Sequence, residues 1–196
     1  MTKNFKHKAL LWGGIGLATV GIITTTFLVH KKKKQLDPVL ALSDAFTNYF
    51  GEKGMLSSSY PRGVRNNNPG NLVLTSIKWK GKVPNEQNTD GHFEQFYTYA
   101  DGVRAMIKDI MNDHKKGSKS VRKLIYEYVP PTENNTEIYI KWVASVLGVS
   151  PDATITLSKD ILKSFAVAII KMENGTQKDG KVYLKNSQFE SAYISV

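Results

Sequence analysis

Glu173 closes the segment "SKDILKSFAVAIIKMENG", the most apolar helical pattern in the soluble part of the chain. The C-terminal end of a helix is electrically negative and disfavours an anion. Apolar surroundings add a desolvation penalty. A carboxyl group disfavoured as an anion, at the mouth of a cleft, suits the general acid of glycosidic bond cleavage. The plainer alternative is a solvent-exposed Glu beside a glycine cap. Hydrolysis of this kind takes a second carboxylate, and Asp90 in "DGHFE" is the candidate. Asp90, His92 and Glu94 alternate, so an extended backbone would put them on one face. That trio reads as the wet face of a hairpin rather than a metal site. Neither a metal nor an organic cofactor is expected. Glu133, in "PPTENNT", lies where a helix dipole favours an acid and reads as structural.

A second concentration of polar chemistry lies in "GVRNNNPGNLVLTSIKWKG". Pro69-Gly70 turns the chain. Asn66, Asn67, Asn68 and Asn71 can bond the backbone of that turn, and they can also present donors and acceptors to a cleft. Primary amides pair with the hydroxyl and acetamido groups of N-acetylated sugars, whose apolar faces stack on aromatic rings. The candidate substrate-binding residues are Asn68, Asn71, Trp79, Tyr97 and Asn174.

The elements that would position these groups follow from periodicity and caps. Leu72, Leu74, Trp79, Phe93 and Phe96, spaced by polar residues, predict short strands over 71–99. Val103, Ile107, Ile110 and Met111 predict a helix capped by Asp101 and ended by Gly117. "SVRKLIYEYV" predicts a second, stopped by Pro130-Pro131. "TEIYIKWVASVLG" predicts a third, with Ile138, Trp142, Val143, Val146 and Leu147 inward and Gly148 as cap. The fourth begins at Ser158 and ends at Glu173. The expected architecture is a small sheet followed by a helical bundle.

The chain has 196 residues and no cysteine, which excludes disulfides and thiolate metal sites. Its net charge is +10, but residues 1–34 hold seven Lys and no acid. The remainder sets 20 of the 27 basic side chains against all 17 acidic ones. A nucleic-acid-binding domain would concentrate basic residues on its folded part, so no nucleic acid is expected as a partner. Residues 9–29 carry no charge and are long enough, as a helix, to span one hydrocarbon core of about 30 Å. Lysines flank both ends. The expectation is a membrane anchor over 1–34, an amphipathic helix and linker over 35–60, and a catalytic domain over 61–196.

Taken in order, "RGVRNNNPGNL", "WKG", "DGHFEQF", "DGVRAM", "YVPPTENNTEIYI" and "MENG" resemble a family of phage virion and prophage-encoded lytic transglycosylases and lysozyme-like proteins. The likeness covers about Arg62 to Gly175. It implies an α+β, lysozyme-like fold, mainly helical with a small β-hairpin, here joined to one N-terminal transmembrane helix. It implies a peptidoglycan-degrading activity on the MurNAc-β-1,4-GlcNAc bond. In related enzymes the catalytic Glu precedes the hairpin. In this chain the matching position is empty, and "AIIKMENG" suggests a circularly rearranged order with Glu173 as the acid. The expected partners are peptidoglycan, a membrane and other virion proteins. The expected location is a virion membrane or the bacterial envelope. A rival reading from another class is a non-catalytic virion membrane protein that binds the cell wall or makes structural contacts.

Overall fold

A computed structural model of the chain describes residues 42–43, 45–129 and 136–196. The expected anchor at 9–29, its flanking lysines and Glu133 lie outside the described residues. Residues 36–196 form one compact unit.

Six helices carry the described part: α1 (Arg62–Arg65), α2 (Tyr99–Lys116), α3 (Val121–Tyr128), α4 (Thr136–Leu147), α5 (Lys159–Asn174) and α6 (Asn186–Ile194). Their ends have local causes. The Thr98 hydroxyl accepts from the Asp101 N–H and donates to the Asp101 carboxylate, so Thr98, not Asp101, caps α2. Ser120 and Ser158 cap α3 and α5. Gly117 ends α2 at φ +120°, a conformation costly for any other residue.

Helix α5 runs through the core, where Phe165, Ala166, Ala168, Ile169 and Ile170 are fully buried. Burying a side chain the size of Phe or Ile contributes about 1.5–3 kcal/mol. It packs on α4, α1 and α2, while α6 covers α2. The Trp142 indole N–H of α4 donates to the Ala168 carbonyl of α5 at 3.1 Å. In α4 the inward residues are Tyr139, Ile140, Val143 and Ala144, and Ile138 faces outward at 60% exposure.

Two expectations are corrected. The α+β architecture with a hairpin is replaced, among the described residues, by an all-helical one without a sheet. Residues 71–97 make only isolated bridges, Val73 with Phe93 and Lys82 with Phe96. The cross-strand ladder breaks because Gly81 turns at φ +74° and Pro84 leads into a 3-10 turn at Asn85–Gln87. No helix among the described residues is long and apolar enough to cross a membrane, and the anchor expected at 9–29 lies outside them. Secondly, the amphipathic helix expected within 35–60 does not continue through residues 46–50, which form a bridge and a turn. Phe46 and Tyr49 are buried, and Tyr49 packs edge-on against Tyr99 and Tyr183 at 5.0 and 5.6 Å.

Candidate active site

The asparagine-rich turn lies between α1 and the 71–97 segment, and most of its amides point inward. Asn67 is fully buried with a left-handed φ of +52°. Its Nδ2 donates to the carbonyls of Phe96, Thr47 and Tyr97 at 3.1–3.3 Å. Asn68, also fully buried, donates to the Leu72 and Glu94 carbonyls and accepts from the Leu72 N–H. Asn66 donates to Asp90 at 2.7 Å and accepts from Gln95. The turn seats against the helices through close backbone approach. A β-carbon on Gly102 would stand 1.8 Å from the Asn67 carbonyl oxygen.

Asn71 departs from this pattern. Left-handed at φ +49° and half-buried, it turns its amide nitrogen toward the end of α5, and Nδ2 donates to Glu173 Oε2 at 2.8 Å. The other Glu173 oxygen accepts from the Tyr139 hydroxyl at 3.0 Å. Glu173 thus sits at the end of α5, half-buried, held from two sides. It lines a hollow of about 260 Å³ with Asn71, Val73, Phe93 and Tyr128. Burial, and then the Glu173 charge, raise both the Tyr128 and Tyr139 hydroxyls well above the ordinary tyrosine range, so both remain protonated. Tyr128 donates to the Gly70 carbonyl and fixes the end of the turn.

The residue beside Glu173 has a different task. Asn174 is buried and donates to the Pro69 and Ile170 carbonyls at 2.7 and 3.2 Å. It fastens the Pro69-Gly70 turn to α5 and is not a substrate ligand. The buried Oδ1 atoms of Asn71 and Asn174 have no conventional hydrogen-bond donor. Both converge on Gly63, where a β-carbon would meet them at 2.7 and 2.5 Å, with the Asn68 carbonyl at 2.8 Å. Any side chain at 63 would displace these groups.

The remaining candidates scatter. Asp90 accepts from Arg62 through two bonds of 2.6 and 2.7 Å, from Asn66, and from the His92 and Phe93 N–H groups. Burial pushes this carboxyl up, but the Arg62 and Asn66 bonds win and hold it well below the usual range. So fully engaged a carboxylate is a clamp between α1 and the 88–93 loop, and a poor base or nucleophile. Glu94 is fully buried on Thr75 and Lys82, while His92 is exposed, so the alternating trio shares no site. Asn68 serves its own backbone. Tyr97 packs beside Leu42, Phe46 and Val83, a cluster apart from the main core. Trp79 is half-buried and lines a second hollow together with Asn71 and Tyr128.

The structure therefore brings together Glu173, Asn71 and Trp79 of the expected set, and adds Tyr128, Tyr139 and Asp109. Tyr139 was within reach of the sequence: moving the apolar phase of "TEIYI" by one residue turns it inward.

The chain is 35% identical over 120 residues to Protein P5 of Pseudoalteromonas phage PM2, covering 59% of this chain and 72% of the relative. The chain belongs to the Protein P5 family. No protein-family model matches it. Its kinship with Protein P5 gives the chain a phage association.

Proposed function

We propose that this Protein P5 relative is a peptidoglycan-degrading glycosidase that cuts the MurNAc-β-1,4-GlcNAc bond, with Glu173 as its general acid. It acts as a phage virion protein in local penetration of the cell wall. The observation that carries this reading is a half-buried carboxyl at a core helix end, oriented by Asn71 and Tyr139 and open to a groove. The motif series from Arg62 to Gly175 supports the same chemistry.

In this reading the two hydrogen bonds bear on which oxygen would carry the acid proton. An amide NH₂ can only donate, so Glu173 Oε2 must accept from Asn71. The Tyr139 hydroxyl donates to Oε1, but a hydroxyl can turn and accept instead, so Oε1 is the oxygen that could take up the proton. Protonated at Oε1, Glu173 gives its proton to the leaving glycosidic oxygen as the C1–O bond breaks. The resulting carboxylate gains donors from both neighbours. It then takes a proton from the incoming nucleophile, either water or the sugar's own 6-hydroxyl.

The test incubates the full chain and its Glu173→Gln variant with purified peptidoglycan and reads released muropeptides by mass spectrometry. Turnover is expected to fall about 10²–10⁴-fold in the variant. Anhydro products identify the transglycosylase route, and hydrated reducing ends identify water as the nucleophile. Full activity in Glu173→Gln would sink the assignment.

A further inference from the structure

The groove does not end at Tyr128. The hollow beside Glu173 shares Asn71, Val73 and Tyr128 with a second hollow of about 260 Å³. That second hollow is walled by Ile77 and Trp79 on one side and by Asp109 of α2 and Glu127 of α3 on the other. Trp79 also borders a third hollow of about 430 Å³, with Lys78 and Pro84. Its ring therefore stands as a ridge along the groove. Ile77, on the same lip, is 49% exposed, which leaves an apolar rim facing outward.

Asp109 is the odd group in this wall. It lies in the interior of α2, half-buried, away from both helix ends. Among the described residues its carboxyl accepts no hydrogen bond and forms no salt bridge, whereas Asp113, one turn later, pairs with Lys116 at 3.0 Å. Burial first, and then the Asp113 charge, push Asp109 up to about 6, with Lys116 pulling the other way. A half-buried acid without a partner is destabilising where it stands. The same group is well placed if a ligand supplies the missing donor. Its position relative to Glu173 is marked by Tyr128, whose hydroxyl feels the charge of both acids.

We propose that the hollow between Trp79 and Asp109 is a sugar-binding subsite adjoining the cleavage position. In it Asp109 accepts from a hydroxyl or acetamido N–H of an N-acetylhexosamine unit, and Trp79 covers the apolar face of the ring. The identity of the ligand rests on the glycan-cleaving reading of Glu173. The groove then holds a polymer over consecutive units, with Glu173 and Asp109 on either side of Tyr128.

The full chain carrying Glu173→Gln, which holds sugar without cutting it, is titrated calorimetrically with the β-1,4-linked N-acetylglucosamine hexamer. The same titration is repeated with Asp109→Leu and Asp109→Asn added. Asp109→Leu is expected to weaken binding about tenfold or more, the loss of a charge-assisted hydrogen bond. Asp109→Asn, which keeps one acceptor, falls between. Melting temperatures of these variants should be no lower than that of their parent, which separates lost contact from lost fold. Equal affinity with and without Asp109, or no binding by any variant, overturns the subsite. Turnover on peptidoglycan keeps the two claims apart. A chain that binds through Asp109 yet releases no muropeptides loses the glycosidase reading and keeps the subsite. A chain that cuts but binds independently of Asp109 does the reverse.

Discussion

Asn68 and Asn71 lie three residues apart on one turn and are put to opposite uses. The buried side of the turn resembles a bolt. Asn67 and Asn68 have no exposure, and their amides bond the Phe96, Leu72 and Glu94 carbonyls of the segment beside them. The groove side resembles a hand. Asn71 gives its amide to Glu173, and the neighbouring wall holds an acid without a partner. One residue type can thus build a site and furnish it, and burial decides which.

If this division holds, stability and activity should separate along it. The largest structural effect is expected at Asn67. Glycine at 67 keeps the left-handed backbone but withdraws the amide from the Phe96, Thr47 and Tyr97 carbonyls, of which Tyr97 still accepts from the Thr47 N–H, at a cost of about 1–3 kcal/mol. Activity per folded molecule should stay near wild type. Asn71→Gly should cost under about 1 kcal/mol, since water can reach the vacated place, yet lower turnover about tenfold. Denaturant melts beside muropeptide release check both. Comparable losses of stability at the two positions would erase the distinction.

Gly63→Ala lies on the boundary and should disturb both sides. Its methyl group would displace the side-chain oxygens of Asn71 and Asn174, at an overpacking cost of about 1–3 kcal/mol. Turnover should fall with stability, unlike at Asn67. An alanine variant with normal turnover would mean that Asn71 is not critical to the acid.

The smallest effect has the opposite sign. In the unfolded chain Asp109 titrates near its ordinary value of 3.8, and in the folded protein near 6. Well below 3.8 it is protonated in both states and carries no penalty. As pH rises from 3.8 to about 6 the unfolded chain ionises first, and folded stability is lost across that window relative to a neutral side chain. After allowance for partial exposure the loss is about 1 kcal/mol. Asp109→Asn should therefore raise the melting temperature at pH 7.5 and leave it nearly unchanged well below pH 3.8. Equal melting temperatures at both pH values would mean that the acid is satisfied in place. Asp90 shifts the other way: its clamp stabilises at neutral pH and weakens on acidification.

The sequence made the helices legible because their ends carry local chemistry: Ser120 and Ser158 as caps, Gly117 and Gly148 as stops. The position of Glu173 at a helix end could be read the same way. The hairpin could not, because apolar alternation over 71–97 says nothing of the Gly81 turn or the 3-10 interruption. Nor could the task of Asp90, since only folding brings Arg62 and Asn66 to it from 28 and 24 residues away. Asp109 was hidden for a related reason. In "IKDIMND" it occupies a polar helical position like any wet face, until the 72–79 segment lies across it.

The hydrogen bond between Asn71 and Glu173 joins residues 102 apart in sequence, and the one between Asn174 and Pro69 joins residues 105 apart. Contacts so distant form late, after the loop between them has been closed. A nascent chain that has emerged only as far as Leu157 holds the whole turn but neither Glu173 nor Asn174. Such a chain has no acid to arm. Synthesis order therefore completes the Asn71–Glu173 pair only after most of the domain has been translated.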